Sequence, residues 1–412
     1  MGVEKDAVLP EWHEPTGFKK AGFGKWKTPA SPYDRYMLEQ EIPIHRDIGV
    51  HKIQNLPMKP WKRLGGSGTF IQLYGTDGLW GMYVVTVPSA SALNTERHMY
   101  EEIYYVVEGR GSTEVWEEGS TKKLSFEWGP GSLFGIPMNT YHRVINATSS
   151  PAMLLAATTA PNIINLLRDQ DAVFNSPYNF KTRFDSEDEY FRPSEDVYAD
   201  PVRGLAMRKT SLIPDIVNCE LPLDNRRAFG WRRIEPHMAN SNFYMKIGEY
   251  LTGQYSKAHK HDSGAILVCI KGKGYSYTWP DRLGTHPWEA GLGEEVKRQD
   301  YEPVGMISAA PMSGDWFHQH FGTHPDGLRL LIFDGPYGPG FRTGRRMGEE
   351  ASDRGAINIE DGGNAINYAY EDPQVRETYE RELAKEGVKS RMEDWMYDPN
   401  TKPEELARVG GA

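Results

Sequence analysis

Residues 253–272 read GQYSKAHKHDSGAILVCIKG, a pair of histidines followed by an apolar run and a glycine turn. His259 and His261 are two positions apart. Because successive side chains of a β-strand point to opposite faces, both imidazole rings would lie on one face. Neutral imidazoles that converge on one face are typical of a transition-metal site. The apolar run from Ala265 and the glycines at 272 and 274 predict a strand, a turn and a second strand.

A second histidine-rich window lies at residues 316–321, which read WFHQHF. His318 and His320 form another same-face pair, and His324 follows closely. The two windows and the nearby His324 account for five of the 12 histidines in the chain. This concentration predicts that both windows contribute to one site.

Length and composition limit the class of protein. A chain of 412 residues predicts two or three domains. The net charge of −10 argues against non-specific binding to nucleic acid or to an anionic membrane. Only Cys219 and Cys269 are present, which argues against a disulfide framework and fits a reducing compartment. The sequence shows neither the apolar core of a signal peptide nor an apolar run that could span a membrane, so we expect a cytoplasmic protein.

Short apolar runs broken by glycine and asparagine fill two long regions, which is the pattern of a sandwich or barrel. The predicted units are an N-terminal arm at 1–65, a first barrel at 66–165, an inter-barrel connection at 166–239, a second barrel at 240–338 and a C-terminal extension at 339–412. The arm is predicted to contain a short helix near Tyr33–Gln40. The extension is predicted to contain a helix near 373–386, with Asp372 as N-cap and Gly387 as terminator.

The two strand-rich regions resemble each other. One pair of matching motifs places Glu96, His98, Glu102 and Gly109 at the same spacing as His259, His261, Ala265 and Gly272. A later pair of motifs aligns Gly131, Pro137, His142 and Asn146 with Gly305, Pro311, His318 and Gly322, where the second copy has two extra residues before its histidine. Matching spacing at two separated motifs predicts a duplicated β-barrel.

These motifs carry a resemblance to a known family. The pattern G-x5-H-x-H-x3-E-x6-G, followed by G-x5-P-x-G-x2-H-x3-N, resembles the cupin superfamily, and two copies resemble a bicupin. The resemblance covers roughly residues 65–165 and 240–338, and it extends to gentisate-type ring-cleaving dioxygenases and to bicupins without an assigned reaction. It implies an all-β dominated fold of two cupin barrels, which are double-stranded β-helices or jelly rolls, with flanking helices.

The resemblance implies ligands in the second barrel. His259, His261 and His318 match three metal ligands of the family, while Ala265 stands where the family usually has a glutamate. His320 is the candidate catalytic residue, and it could also be a fourth ligand or a hydrogen-bonding neighbour. Three-histidine cupins include enzymes that cleave carbon–carbon bonds with O2, so the missing glutamate is compatible with activity.

The first barrel departs from the family pattern at one ligand. Glu96 stands where the first histidine belongs, whereas His98, Glu102 and His142 match. This mixed nitrogen and oxygen set could hold iron, manganese or zinc. The alternative is a barrel kept for packing, with His98 and Glu102 as a buried hydrogen-bonded pair. Gentisate-type enzymes keep their metal in the first barrel, so the three-histidine set lies in the other copy here.

Two further features have two interpretations each. Tyr275, Tyr277 and Trp279 alternate along one strand, so they share a face and could either line the second pocket or pack in a core. Arg329 could point inward and bind a substrate carboxylate in a two-pronged contact, or it could be a solvated arginine.

The leading functional hypothesis is a metal-dependent oxygenase whose second barrel uses Fe(II) and O2 to cleave a small aromatic or enolisable organic acid. The alternative is a lyase, decarboxylase or isomerase that does not use O2, with manganese, nickel or zinc also compatible. A third hypothesis is a ligand-binding or storage bicupin without catalysis. The expected partners are a small acidic or aromatic substrate and, because barrels expose sheet edges, a second copy of the chain in a homo-oligomer.

Overall fold

The computed structural model describes residues 29–76, 78–201, 204–224, 228, 230–261, 264–309, 316–336 and 355–400. Residues 1–28 of the predicted arm, and residues 339–354 and 401–412 of the predicted extension, lie outside this description. The first element is helix α1 (Pro32–Glu39). It starts there because Ser31 accepts a hydrogen bond from the backbone N–H of Asp34 and Pro32 supplies a helix-compatible φ.

Twelve strands precede the first long connection. They are β1 (Ile44–His45), β2 (Gly49–Val50), β3 (Lys59–Trp61), β4 (Gly66–Ile71), β5 (Gly81–Val87), β6 (Ser91–Ala92), β7 (Glu102–Glu108), β8 (Gly111–Trp116), β9 (Leu124–Trp128), β10 (Leu133–Ile136), β11 (Tyr141–Asn146) and β12 (Ala152–Thr158). The large sheet of the first barrel runs in the order β1-β4-β5-β12-β7-β10, and its small sheet runs β6-β11-β8-β9.

The rest of the chain repeats this plan after two helices. The elements are α2 (Ala160–Leu167), α3 (Gln170–Phe174), β13 (Tyr198–Ala199), β14 (Ala206–Lys209), β15 (Leu212–Ile213), β16 (Arg232–His237), β17 (Phe243–Tyr250), β18 (Ile266–Gly272), β19 (Gly274–Pro280), β20 (Lys297–Tyr301), β21 (Met306–Ser308), β22 (Trp316–Gly322), β23 (Leu328–Pro336) and α4 (Pro373–Lys385). Short 3-10 helices lie at Ile53–Asn55, Asp281–Leu283, Gly293–Glu295, Ile359–Asp361, Tyr368–Tyr370 and Asp394–Tyr397.

The second barrel repeats the strand order of the first. Its large sheet runs β13-β14-β16-β17-β23-β18-β21, and its small sheet runs β20-β19-β22. The repeat extends to the turns, since Gly109 and Gly272 both have a left-handed φ, of +88° and +80°. Only glycine adopts this conformation easily. The chain is therefore an all-β dominated protein of two jelly-roll barrels with a few flanking helices, as the sequence predicts.

Each barrel receives a strand from the segment that precedes the other barrel. Strand β2, which precedes the first barrel, pairs with β21 of the second, with Val50 opposite Met306. Strand β15, which precedes the second barrel, pairs with β10 of the first, with Ile213 opposite Leu133. The sheets thus extend into the predicted arm and the predicted connection. Two-residue strands are too short to show any periodicity, so the sequence gives no sign of them.

The two large sheets pack against each other through a shared apolar core. This core contains alternate residues of strands from both barrels, such as Met82 and Val84 from β5 and Met245 and Ile247 from β17. Trp80 of the first barrel meets Phe243 of the second edge-on, with 5.5 Å between ring centroids. The opposite faces of these strands line the barrel interiors, which is where the candidate sites lie. Among the described residues, no helix combines the length and the apolar character needed to cross a membrane.

Candidate metal centres

Three histidines meet inside the second barrel. His259 and His261 lie on the segment that leads into β18, and His318 lies on β22. His259 and His318 face each other in an isolated antiparallel bridge, so the two segments are joined at the ligands themselves. One ring nitrogen from each of His259, His261 and His318 can be chosen so that all three atoms lie within 4.8 Å of one another.

The histidine geometry fits a metal ion. Ring nitrogens that each lie about 2.0–2.1 Å from a metal are at most about 4.2 Å apart, close to the observed spread. Nδ1 of His259 lies 3.0 Å from the carbonyl oxygen of Lys257 and donates to it in the neutral ring. This bond leaves Nε2 as the ligand atom and fixes the orientation of the ring, as backbone carbonyls do for metal-bound histidines.

A charged pair lies on the wall of the same pocket. His261, His318 and His320 line the pocket together with Lys246 of β17 and Asp334 of β23. Nζ of Lys246 lies 3.1 Å from Oδ2 of Asp334. Both side chains are about nine-tenths buried, so neither charge is strongly screened by water. The pair thus places an ammonium group and a carboxylate beside the three histidines.

Lys246 and Asp334 belong to neither of the two histidine windows nor to the family motifs. A signal for Lys246 exists in the β17 sequence FYMKIGEY, where one lysine interrupts residues that are buried on both faces. A charged residue in a strand buried on both faces must have a partner or a function. The partner could not be named because β17 and β23 are far apart in the sequence.

His320 lies in the pocket but outside the group of converging donors. Its Nδ1 is 2.7 Å from Oγ of Ser276, and that hydroxyl is 3.1 Å from the phenol oxygen of Tyr301. His320 is thus the end of a buried chain of hydrogen bonds. Its role as the catalytic residue stays a prediction, and the geometry favours a hydrogen-bonding neighbour over a fourth ligand.

The structure decides how the aromatic residues of β19 and Arg329 are to be interpreted. Tyr275, Tyr277 and Trp279 belong to an apolar core that also contains residues of α4, such as Tyr379, so they pack outside the barrel. The inward positions of β19 are Ser276 and Thr278. Arg329 makes an ion pair with Glu249 and donates to the carbonyl oxygens of Ile216 and Cys219. It therefore anchors the connection between the barrels and is not a substrate ligand.

The first barrel contains a second group of donors. Glu96, His98 and His142 offer ligand atoms within 4.8 Å of one another. Glu102 joins them, because its Oε2 lies 3.3 Å from Nε2 of His98 and 3.6 Å from Nε2 of His142. All four residues are buried. Asn146, which also matches the family pattern, instead donates to backbone carbonyls such as that of Val87 and supports a turn.

The hydrogen bonds of the first group also fit a metal ion. Nδ1 of His98 lies 2.9 Å from the carbonyl oxygen of Tyr100, so in the neutral ring Nε2 carries a lone pair. That lone pair points at the carboxylate of Glu102, and a cation between them would remove the repulsion. In the metal-free protein a proton on Nε2 of His98 can bond to Glu102 instead; burial tends to raise the pKa of Glu102, but His98, His142 and the Tyr83 hydroxyl then lower it to about 2. Glu96 has another partner, because its Oε1 lies 2.7 Å from Nε of Arg63.

Lowering the pH is expected to lower the free energy of unfolding of the metal-free protein because of His142. Burial and the neighbouring His98 lower the pKa of His142 from 6.5 to about 4, so between these values the unfolded chain binds a proton that the folded chain excludes. The free energy of unfolding should fall by about 1.4 kcal/mol for each unit by which the pH is lowered across this window. Urea unfolding in the presence of a chelator would measure it. His142→Gln should remove this part of the slope, and His324→Gln, in a surface turn, should keep it. An unchanged slope in His142→Gln would contradict the assignment.

The comparison with protein families agrees with the architecture of the first barrel. A family model described as a cupin domain matches residues 82–158. No curated protein sequence matches the chain. Among solved structures, an oxalate decarboxylase variant from Bacillus subtilis is 12% identical over 69% of this chain and 77% of its own, with a TM-score of 0.43. The formate complex of the oxalate decarboxylase from Lactobacillus farciminis is 8% identical over 87% of this chain and 95% of its own, with a TM-score of 0.45.

The family match covers strands β5 to β12, which contain the first group of donors. The second barrel has the same strand order and places its histidines at the equivalent positions. Residues 82–158 therefore match the cupin domain family, and the second barrel is built on the same plan as the first.

Proposed function

We propose that this protein is a metal-dependent enzyme that converts a small organic acid without O2, as a decarboxylase, lyase or isomerase, in its second barrel. One observation carries the proposal. Two of the three converging histidines, His261 and His318, line one pocket together with the buried pair of Lys246 and Asp334. Metal ligands and an acid–base pair around one pocket are what such a reaction requires.

The histidines favour an anionic substrate. Three neutral imidazoles leave the full charge of a divalent ion uncompensated. Ala265 occupies the position where the family usually has a glutamate, so no carboxylate from that position would reduce the charge. A divalent ion held by His259, His261 and His318 would act as a Lewis acid and polarise a substrate oxygen. A carboxylate or an enolate oxygen is therefore the favoured substrate group.

Lys246 and Asp334 provide the proton chemistry. The Lys246 ammonium can bind the substrate carboxylate through charge-assisted hydrogen bonds. Asp334, which it now holds at 3.1 Å, would then be able to give or take a proton at the substrate. Reactions that break or form a C–H or C–C bond without O2 need such a group within reach of the reacting carbon. This is why we place the non-oxidative reaction ahead of the oxygenase.

The oxygenase is the second candidate, and one feature favours it. A metal with three protein ligands keeps open positions, and the absence of a glutamate at position 265 leaves room for two exogenous ligands. Substrate and O2 could occupy them together if the ion were Fe(II). Manganese, nickel or zinc would fit the non-oxidative reaction as well as iron does.

We also propose that the first barrel holds a second metal, through His98, His142 and Glu102 with Glu96 close by. Mixed imidazole and carboxylate donors suit manganese or iron. The alternative is a first barrel kept for packing, and the ion pair between Glu96 and Arg63 favours it. Metal content per chain separates the two, because the barrel kept for packing would bind none.

The test combines metal analysis with a substrate screen. Protein purified without added metal or chelator would be analysed by mass spectrometry, then incubated with small carboxylic acids in an oxygen electrode and under anaerobic conditions. Turnover that continues without O2 is the expected result. Turnover that requires O2 and consumes it in proportion to product would favour the oxygenase. A protein that neither contains nor takes up metal would leave only the binding or storage function.

A further inference from the structure

The C-terminal extension pairs with the segment that bears His259 through an isolated antiparallel bridge between His259 and Ala365. The backbone N–H of Ile366 donates to the carbonyl of Ala258 at 2.7 Å. The backbone N–H of Lys260 donates to the carbonyl of Asn364 at 3.2 Å. On its other side His259 exchanges two backbone hydrogen bonds with His318, at 3.0 and 2.9 Å. The ligand segment is thus held between β22 and the extension. Without the extension it would be an edge with unpaired backbone groups.

Side chains of the extension support the same segment. Oδ1 of Asn358 accepts a hydrogen bond from Nζ of Lys257 at 2.8 Å. Lys257 is also the residue whose carbonyl orients the His259 ring. The hydroxyl of Tyr368 donates to the carbonyl of Tyr255 at 2.6 Å and is buried. These contacts fix the main chain immediately before the first two histidine ligands.

Glu371 connects the extension to the strand that bears the third ligand. Its carboxyl group is hydrogen-bonded to the hydroxyl of Tyr255 and accepts from Nε2 of Gln319 at 3.2 Å. Gln319 lies between His318 and His320, and its Nε2 also donates to the carbonyl of Ser256 at 2.9 Å. Burial raises the pKa of Glu371 to about 8, so the group is mostly protonated at neutral pH and can both donate and accept.

These contacts are not needed to attach the extension to the barrel. Helix α4 buries Val375, Tyr379 and Leu383 in an apolar core with Tyr275 and Phe321 of the small sheet. That burial would hold the helix by the hydrophobic effect alone. The polar contacts of residues 358–371 are instead concentrated on the residues next to His259 and His318. Burying a carboxyl group costs free energy unless it is well hydrogen-bonded, which points to a positional role.

We propose that residues 357–371 form a clamp that belongs to the metal centre of the second barrel, with Tyr368 and Glu371 as positioning residues for His259 and His318. The inference rests on the proposed metal site of that barrel. The clamp holds the main chain of both ligand segments from outside the barrel, so that the imidazoles are already aligned when the ion binds. Groups that orient metal ligands typically change metal affinity by about 10–100-fold.

The experiment is a titration of the metal-free full-length protein with Co²⁺ alone, followed by its visible absorption spectrum. Because the first barrel could also bind Co²⁺, all variants would carry His98→Ala. Glu371→Ala should weaken Co²⁺ binding by about 10–100-fold and alter the spectrum. Glu371→Gln should retain most of the affinity, since an amide of the same shape can still accept a hydrogen bond from the Tyr255 hydroxyl. Tyr368→Phe should weaken binding in the same direction. Tyr370→Phe, an exposed residue of the same turn, is the matched control and should bind normally.

The outcomes separate this inference from the proposed function. If the His98→Ala parent binds no Co²⁺, the metal site of the second barrel fails and the clamp fails with it. If the parent binds and Glu371→Ala and Tyr368→Phe bind equally well, only the clamp is overturned. If Glu371→Ala does not fold, as judged by circular dichroism, Tyr368→Phe decides, because it removes a single hydroxyl. A loss as large in Tyr370→Phe would show a general effect of the turn and would also overturn the clamp.

Discussion

His259→Ala is expected to abolish metal binding in the second barrel and, with it, turnover. His259 is one of three donors within 4.8 Å, and two imidazoles cannot hold the ion against water. Loss of a direct ligand should weaken binding by at least about 100-fold, the upper end for groups that only orient ligands. The fold should survive, because the bridge between His259 and His318 is made by backbone atoms. Mass spectrometry of the purified variant should find about one metal per chain fewer than in the unchanged protein.

The first barrel supplies the matched control. His98→Ala removes a ligand at the equivalent position of the other copy, so it should lower metal content without affecting turnover if the second barrel alone is catalytic. The double variant should contain no metal. Equal metal content in His259→Ala and the unchanged protein would remove the basis of the proposed function.

Lys246→Met is expected to lower both turnover and stability, and a second substitution separates the two effects. It removes the contact with the substrate carboxylate, which should lower kcat/KM by about 100-fold, the value of a hydrogen bond to a charged group. It also leaves the buried carboxylate of Asp334 without the ammonium now 3.1 Å away. Removing one member of a buried ion pair typically costs about 3–5 kcal/mol of stability.

The double variant Lys246→Met with Asp334→Leu should recover the lost stability, because two apolar side chains replace a buried pair at similar volume. Turnover should stay low, since neither the ammonium nor the carboxylate is restored. Urea unfolding and steady-state kinetics on the three proteins measure both effects. A double variant that regains both stability and turnover would show that the pair is structural only.

The fold and the histidine pattern of the candidate site are visible in the sequence because both rest on local spacing. The spacing of His259, His261 and Gly272 predicts a strand, the face that the two histidines share and the turn that follows. The same spacing at Glu96, His98 and Gly109 indicates the duplication. The helix signals Asp372 and Pro373 are local as well, and α4 begins at Pro373 with Asp372 accepting from the N–H of Gln374.

Features that depend on distant pairings are not visible. Lys246 meets Asp334 only because β17 pairs with β23, with Lys246 opposite Ile332. Glu371 meets Gln319 only because the extension folds back on the small sheet. For the same reason, the sequence does not decide which side of β19 faces the pocket. The aromatic residues Tyr275 and Tyr277 and the small residues Ser276 and Thr278 both alternate, and only the position of α4 decides which set is covered from outside.

The exchange of strands β2 and β15 has a consequence for the newly made chain. Strand β2 leaves the ribosome before most of the first barrel, yet its partner β21 follows about 250 residues later, as Val50 pairs with Met306. At synthesis rates of about 5–20 residues per second, this delay is on the order of tens of seconds. During that time the apolar face of the first large sheet, including Met82 and Val84, has no partner sheet. The nascent first barrel therefore exposes this apolar face to solvent until the second barrel is complete.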